Sequence, residues 1–275
     1  MSLKAKIRNM AAEKNISASA VLQNYLIGRF LFRLAKSEYK DKFIIKGGML
    51  ISSIIGIEQR ATMDLDATLR YMQLEESIIR EAFVKICSIP DDDGIEYVFK
   101  SIAPIRDDDE YGGYRISYNA LLGKINAPMS MDISTGDVIT PEAQIYKFSD
   151  ILEPDRKIEL LAYSTETVLA EKLETILSRG VENTRPRDFY DIYMLAAHNY
   201  NIKILSQAFE STAKHRESYD KIVDHTSIIN NIREDQNMNQ RWSSYQKQTP
   251  YAEGISFDDA LDVIQSLMDS VRTAG

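Results

Sequence analysis

One spacing constrains this chain more than any other feature. A short apolar run, Phe43-Ile44-Ile45, ends at Lys46-Gly47-Gly48, and fifteen residues later comes Asp64-Leu65-Asp66. The apolar run has the make-up of a buried strand. Met49 to Ile55 reads as a helix, with Gly56 placed to stop it. Met63 to Arg70 alternates, with Asp64, Asp66 and Thr68 set against Leu65, Ala67 and Leu69, which is the period of a strand. Gly-Gly turns and Asp-x-Asp pairs are each common. Their order here, strand, Gly-Gly, helix, then a strand with paired Asp, is what carries meaning.

Elementary chemistry gives that order a use. Glycine has no Cβ, so a Gly-Gly turn lets the backbone approach a bulky anion. The helix behind it points free N–H groups the same way. Lys46 adds a positive charge, which makes Lys46, Gly47 and Gly48 a candidate cradle for nucleotide phosphates. Asp64 and Asp66 leave the same face of their strand. Two such carboxylates repel unless a cation lies between them. Mg²⁺ takes oxygen ligands and keeps phosphate and water in its remaining positions. The pattern therefore points to metal-assisted phosphoryl or nucleotidyl transfer. Asp132, an acid between apolar neighbours in Met129–Ser134, is a third candidate. It either completes a two-metal site with Asp64 and Asp66 or acts as base on an attacking hydroxyl.

The remaining pattern predicts a mixed α/β body to about residue 163 and a helical half from 164 to 275. Helices are expected at 3–13, from Ser17 to about Lys36, and over Leu74–Ile86. Strands are expected at Glu96–Ile102, Tyr114–Tyr118, Met129–Ser134, Gln144–Phe148 and Lys157–Leu161. Thr165–Ser178 is the best helical pattern, closed by Gly180, and Pro186 opens a further helix to His198. Ser256 caps a last helix to about Arg272. Asp235–Glu253, rich in Asn and Gln, reads as a loop or loosely packed excursion. Asp91-Asp92-Asp93-Gly94 and Asp107-Asp108-Asp109-Glu110 read as solvated turns.

Charge is uneven along the chain. Residues 1–50 hold ten Lys and Arg against three Asp and Glu, a net of +7 within a total of −8, so the other 225 residues carry −15. A basic first fifth is either a solvated helix surface or the face that meets a polyanion. The single cysteine, Cys87, excludes an internal disulfide and a zinc cluster and suits a reducing cytoplasm. No signal-peptide core and no membrane-spanning run is present, so a cytoplasmic protein without membrane contact is expected. The phosphate loop G-x-x-x-x-G-K-S/T and the serine elbow G-x-S-x-G do not occur.

With these residues in view, the chain resembles the AbiEii/AbiGii toxin family of nucleotidyltransferases. The likeness is carried by Lys46-Gly47-Gly48 and Arg60-x-Thr62-x-Asp64-Leu65-Asp66. It continues in Val168-Leu169-Ala170-Glu171-Lys172-Leu173 and Arg185-Pro186-Arg187-Asp188-Phe189-Tyr190-Asp191, and runs from about Phe43 to Leu195. It implies an α+β minimal nucleotidyltransferase fold of the DNA polymerase β type, a mixed sheet flanked by helices. Residues 1–163 would form the nucleotidyltransferase domain, and 164–275 a helical domain packed on the active site. The resemblance also implies Mg²⁺-dependent transfer of a nucleotide from an NTP to an RNA end, such as a tRNA 3′ terminus, or to a protein. Such a protein would be the toxin of a type IV toxin–antitoxin or abortive phage-defence pair with a separately encoded antitoxin. Met49 departs from the family, in which Ser or Thr often accompanies the glycine turn and can touch phosphate.

A second cluster follows from the later motif. Lys172 sits at the edge of the apolar stripe of Val168, Leu169, Leu173, Ile176 and Leu177, so it must snorkel or meet an acid or phosphate. The resemblance makes Lys172 a functional residue. Asp188 lies in the first turn after Pro186, where the helix dipole favours a carboxylate. Arg187 and Asp191 are spaced to pair at i,i+4. On the functional reading, Arg187 and Asp191 serve nucleotide binding, and Asp188 orients Lys172 or the acceptor. Two other functions fit the same residues: a catalytically silent binding protein on this fold, and a transferase acting on small molecules of the antibiotic kind.

Overall fold

The computed structural model describes residues 2–105 and 112–275 and separates into two compact units. The acidic run Asp107–Glu110 lies outside the described residues. The first unit is Met1–Asp137 with Gln144–Ala162; the second is Val138–Ala143 with Tyr163–Gly275. Among the described residues, no helix is long and apolar enough to cross a membrane.

In the first unit, α1 (Leu3–Glu13) and α2 (Ala18–Lys36) begin at Ser2 and Ser17, whose hydroxyls accept from Ala5 N and Ala20 N. Then come β1 (Phe43–Lys46), α3 (Gly47–Ile55), β2 (Leu65–Leu69), α4 (Glu76–Cys87), β3 (Glu96–Ile105), β4 (Gly113–Leu122), β5 (Ile125–Ser134), β6 (Gln144–Ser149) and β7 (Lys157–Ala162). The strands form one mixed sheet in the order β3-β4-β5-β2-β1-β7-β6. β2 lies antiparallel to β1 and parallel to β5, which brings segments far apart in sequence side by side at the centre.

Alternation along these strands separates two faces. One face carries Ile45, Ala67 and Ile133 in one row and Leu65, Met131 and Ile116 in the next, all buried. The aromatic rings of Phe30 on α2 and Phe83 on α4 stack 5.4 Å apart and pack against Tyr118 of β4. The opposite face at the centre of the sheet is polar and is described below.

A buried ionic network fastens α2. Arg33 donates from both terminal nitrogens to both oxygens of Asp93, each at 2.8 Å, and to Ile95 O at 3.0 Å. Arg29 meets Asp150 at 3.2 Å and Asp93 at 3.5 Å. Arg156 clasps Asp91 at 2.5 and 2.7 Å. Side-chain exposure is 2% for Arg33 and 0% for Asp93. Asp91 and Asp93 are therefore not solvated, contrary to the expectation from sequence, while Asp92 and Gly94 of the same turn are exposed as expected. An acid in a polar run ordinarily stays in water; here arginines about sixty residues away supply the pairing that burial demands. The same contacts answer the question of the basic first fifth. Lys6, Lys14, Arg29, Arg33, Lys36 and Lys46 each pair with an acid later in the chain, so most of that charge is neutralised internally.

The second unit holds α5 (Thr165–Arg179), α6 (Pro186–Ala196), α7 (Ile202–His215), α8 (His225–Glu234), α9 (Gln236–Gln248) and α10 (Phe257–Ala274). α9 corrects the expected loop at 235–253. Asp235 caps it by accepting from Met238 N, and Met238, Trp242 and Tyr245 form a buried helical stripe. Trp242 stacks on Phe257, ring centroids 5.4 Å apart. The Asn and Gln residues that suggested a loop lie largely on the outer face, where Gln is a good helix former, and tertiary burial of three large side chains overrides the weak helix propensity of Asn237 and Asn239.

Cutting the network should be costly. Arg33→Ala takes the two-point clasp from the buried Asp93 and leaves it the Arg29 contact at 3.5 Å, and is expected to lose about 3 kcal/mol in urea unfolding. Arg156 holds the Asp91 carboxyl down at about 2 although partial burial opposes this. Because that value lies below the unfolded one of about 3.9, the contribution of Asp91 is complete at neutral pH. It should disappear as pH falls toward about 2, and a denaturation series across pH 2–5 in wild type and Asp91→Asn reads it directly.

Candidate active site

The polar face is built by register. Lys46 pairs with Asp66 across β1 and β2, Asp66 with Asp132 across β2 and β5, and Asp132 with Arg115 across β5 and β4. Directly opposed residues share a face, so four charges stand in one line: plus, minus, minus, plus. One row away, Ser130 Oγ donates to Asp64 Oδ1 at 2.7 Å. One row the other way, Thr68 opposes Ser134. Asp64, Asp66 and Asp132, drawn from two separated strands, are thus neighbours.

The glycine turn serves this row first. Gly47 has φ +64°, and a Cβ there would overlap Asp66 Oδ2. Gly48 N donates to the same oxygen at 3.3 Å. A Cβ on Gly48 would come within 2.5 Å of Thr62 Oγ1. The turn therefore grips a protein carboxylate and is closed on its other side by Thr62 and the buried Arg60. Met49 is buried, and the hydroxyl beside the turn comes instead from Thr62, which donates to Asp64 O at 3.2 Å.

Lys46 does not reach out from the turn. Its ammonium donates to Asp137 Oδ2 at 2.6 Å and to Ser134 Oγ at 2.9 Å. Thr68 and Ser134 donate to the same Asp137 oxygen at 2.5 and 2.8 Å. Although burial opposes it, Lys46 and these hydroxyls hold the Asp137 carboxyl down at about 2. Asp132 is held by Arg115, Nε to Oδ1 at 2.7 Å and Nη2 to Oδ2 at 2.6 Å.

Asp66 is the strained member. Burial raises its carboxyl pKa first, and Asp132 and Asp64 raise it further; Lys46 and the Gly48 N–H act the other way without cancelling them. Among the described residues, no three His, Cys, Asp or Glu side chains are gathered into a finished cation cage. The donor chemistry nevertheless suits Mg²⁺: hard carboxylate oxygens, one of them buried and under like-charge pressure that a divalent cation would relieve.

The second unit carries its own cluster. Lys172 on α5 donates to Asp188 at 2.5 Å and to Asp191 at 2.9 Å, both on α6. Burial works against the ammonium, yet the two acids outweigh it and hold Lys172 above the ordinary lysine pKa. The expected Arg187–Asp191 pair does not form. Asp191 is fully buried and belongs to Lys172, while Arg187 is exposed. Arg187 lies one turn before Asp191 on the same side of α6, but at the exposed first turn of the helix, whereas the Asp191 carboxylate is turned inward to Lys172. Asp188 touches Lys172, one of the two contacts expected of it.

Sequence reasoning did not single out Asp137, Arg115, Thr68, Ser130 or Ser134. One signal was available for Asp137: it closes the turn just after the Asp132 strand, where a polar residue can fold back on the strand end. Arg115 could be found only through the β4–β5 register, which no local pattern fixes.

Two substitutions test this construction. Gly47→Ala must displace the Asp66 carboxylate and adopt an unfavourable positive φ, at an expected cost of about 1–3 kcal/mol, with far-UV dichroism retained below the melting point. Lys172→Met leaves Asp188 and Asp191 facing each other without a cation and is expected to cost about 3–5 kcal/mol in chemical unfolding. Lys172→Met with Asp191→Leu in the same chain should recover part of that loss.

Comparison with known proteins gives the cluster a context. No curated protein is significantly similar to the chain. Two solved structures from Helicobacter pylori resemble it. A candidate nucleotidyltransferase has 19% identity and TM-score 0.47, covering 94% of this chain and 96% of its own. JHP933 has 18% identity and TM-score 0.46, covering 94% and 92%. A family model described as nucleotidyl transferase AbiEii toxin, type IV toxin–antitoxin system, matches residues 29–263 and so includes both motif clusters. The chain belongs to the AbiEii family of nucleotidyl transferase toxins.

Proposed function

We propose that this chain is a Mg²⁺-dependent transferase that moves a nucleotide from an NTP onto an acceptor hydroxyl, acting as the toxin of a pair with a separate antitoxin. The observation that carries this reading is the Asp66 carboxylate, buried beside two other acids and gripped by a glycine turn. In the reaction, the acceptor oxygen bonds to the α-phosphorus, the bond to the pyrophosphate oxygen breaks, and the acceptor proton leaves.

The residues divide the work by their chemistry. Asp64, Asp66 and Asp132 would hold Mg²⁺, which when bound supplies charge neutralisation for the phosphates. Gly47 and Gly48 fix Asp66, the first by leaving room for its carboxylate and the second by donating its N–H to it. Lys46, anchored by Asp137, contributes a fixed positive charge beside the acids. Asp132 would activate the acceptor hydroxyl, directly as base or through a second metal ion. In the second unit Arg187, exposed on α6, is suited to a phosphate of the substrate, and Asp188 and Asp191 orient Lys172. The acceptor class is an RNA end, such as a tRNA 3′ terminus, or a protein side chain.

The Arg115 clamp on Asp132 also favours a second reading, a protein that keeps this fold and acts by partner contacts alone. Incubation with each labelled NTP, Mg²⁺ and total cellular RNA and protein separates the two. Label on RNA or protein supports transfer; no label, and no Mg²⁺-dependent thermal shift with any NTP, supports the scaffold. Asp66→Asn should abolish labelling without loss of stability. The raised pKa of Asp66 means that its ionised form weakens the fold at neutral pH, an effect that fades as pH falls through that pKa. The variant should therefore melt at or above the wild-type temperature. Mg²⁺ should stabilise wild type at neutral pH, and less as the pH is lowered.

A further inference from the structure

The charge row contains an asymmetry. Its two cations, Lys46 and Arg115, flank the same pair of acids but are held differently. Lys46 is fixed by Asp137 and Ser134 and is largely buried. Arg115 is 54% exposed, and its guanidinium is bound to Asp132, with no other hydrogen-bond or ion-pair partner among the described residues. The Arg115 fork spends both oxygens of Asp132 at once, because Nε and Nη2 each take one. A divalent cation that used Asp132 would have to share or displace that fork.

We infer that Arg115 is an exchangeable counter-ion: it occupies Asp132 while the acids hold no cation, and moves off Asp132 when a divalent cation binds there, becoming available to a triphosphate. This rests on the cation reading proposed above. Three features of the structure support the exchange. The register fixes Arg115 opposite Asp132, so the fork re-forms whenever the cation leaves. Asp66 stands directly opposite Asp132 across β2 and β5, so removing the fork without a replacement leaves two neighbouring acids exposed to each other. The exposure of Arg115 leaves it room to swing, and a released guanidinium matches phosphate oxygens in the same bidentate geometry. No proton moves in the exchange, since arginine stays charged throughout.

Mn²⁺ titration, read by the electron paramagnetic resonance of free Mn²⁺, tests the inference on the full chain. Wild type should bind Mn²⁺. Arg115→Gln, which removes the competing fork, should bind it about threefold to tenfold more tightly, the range expected when a partly exposed ion pair no longer has to be broken. Arg115→Lys separates clamp from charge: it keeps the positive charge and loses the planar fork. It should also bind Mn²⁺ more tightly than wild type; if it matches wild type while Arg115→Gln is tighter, general charge is at work and the exchange is overturned. Without cation, Arg115→Gln should melt below wild type, and saturating Mn²⁺ should close that gap. In the presence of Mn²⁺, the affinity for a non-hydrolysable ATP analogue should fall about tenfold in Arg115→Gln. Unchanged or weaker Mn²⁺ binding in Arg115→Gln overturns the exchange alone, provided wild type binds. If wild type binds no Mn²⁺ with or without the analogue, the cation reading fails and the exchange with it.

Discussion

The first unit is organised around two carboxylates that the sheet forces together. Asp66 and Asp132 face each other across β2 and β5 because those strands are parallel neighbours in a fixed register. Left alone, such a pair would push the strands apart or take up a proton. The fold answers with a cation at each end of the row, Lys46 and Arg115, and with the N–H of Gly48 on the inner oxygen of Asp66. Much else follows from that arrangement. Residue 47 must be glycine because Asp66 fills the Cβ position. Asp137 must fold back from the end of β5 because Lys46 needs an anchor that leaves Asp66 available. The apolar rows on the opposite face hold the register, since a slip of one residue would turn every acid into the core.

The second unit solves a related problem with opposite signs. There a single ammonium, Lys172, is buried between two acids, and its charge survives because both point at it. Asp191 cannot be reached from outside while Lys172 covers it, so its contribution is to place the lysine. The surface-exposed cations of that motif are Arg185 and Arg187. A lysine and an arginine from adjoining motifs thus take different parts, one fixed inside and one presented to solvent.

Buried charge recurs in the α2 network, and there it has a structural use. Arg29 and Arg33 tie a helix near the start of the chain to the turns that carry Asp93 and Asp150. Such pairs add little stability compared with apolar packing, but they penalise any arrangement that separates them. Together with the pairs made by Lys6, Lys14, Lys36 and Lys46, they set an acid against six of the ten cations of the first fifty residues. If a polyanion meets this protein, the cations that receive it are those left exposed, such as Arg187, or those released from a partner.

Local sequence determined the strand, glycine turn, helix and paired-acid strand, because each rests on a period or on a residue with a special backbone. It also placed Lys172 where it would have to find a counter-charge, and the nearby Asp188 and Asp191 were legible as candidates. What it could not determine were pairings between distant segments. The burial of Asp91 and Asp93, the anchoring of Lys46 by Asp137 and the Arg115 fork on Asp132 all depend on register and packing across tens of residues. The helix at 236–248 was hidden for the same reason: its Asn- and Gln-rich surface says loop, and only the burial of Met238, Trp242 and Tyr245 makes it a helix. Sequence by itself fixed which residues could carry charge chemistry and on which strand face. The tertiary structure decided which charges neutralise one another, because electrostatic partners are chosen by distance in space and not by distance along the chain.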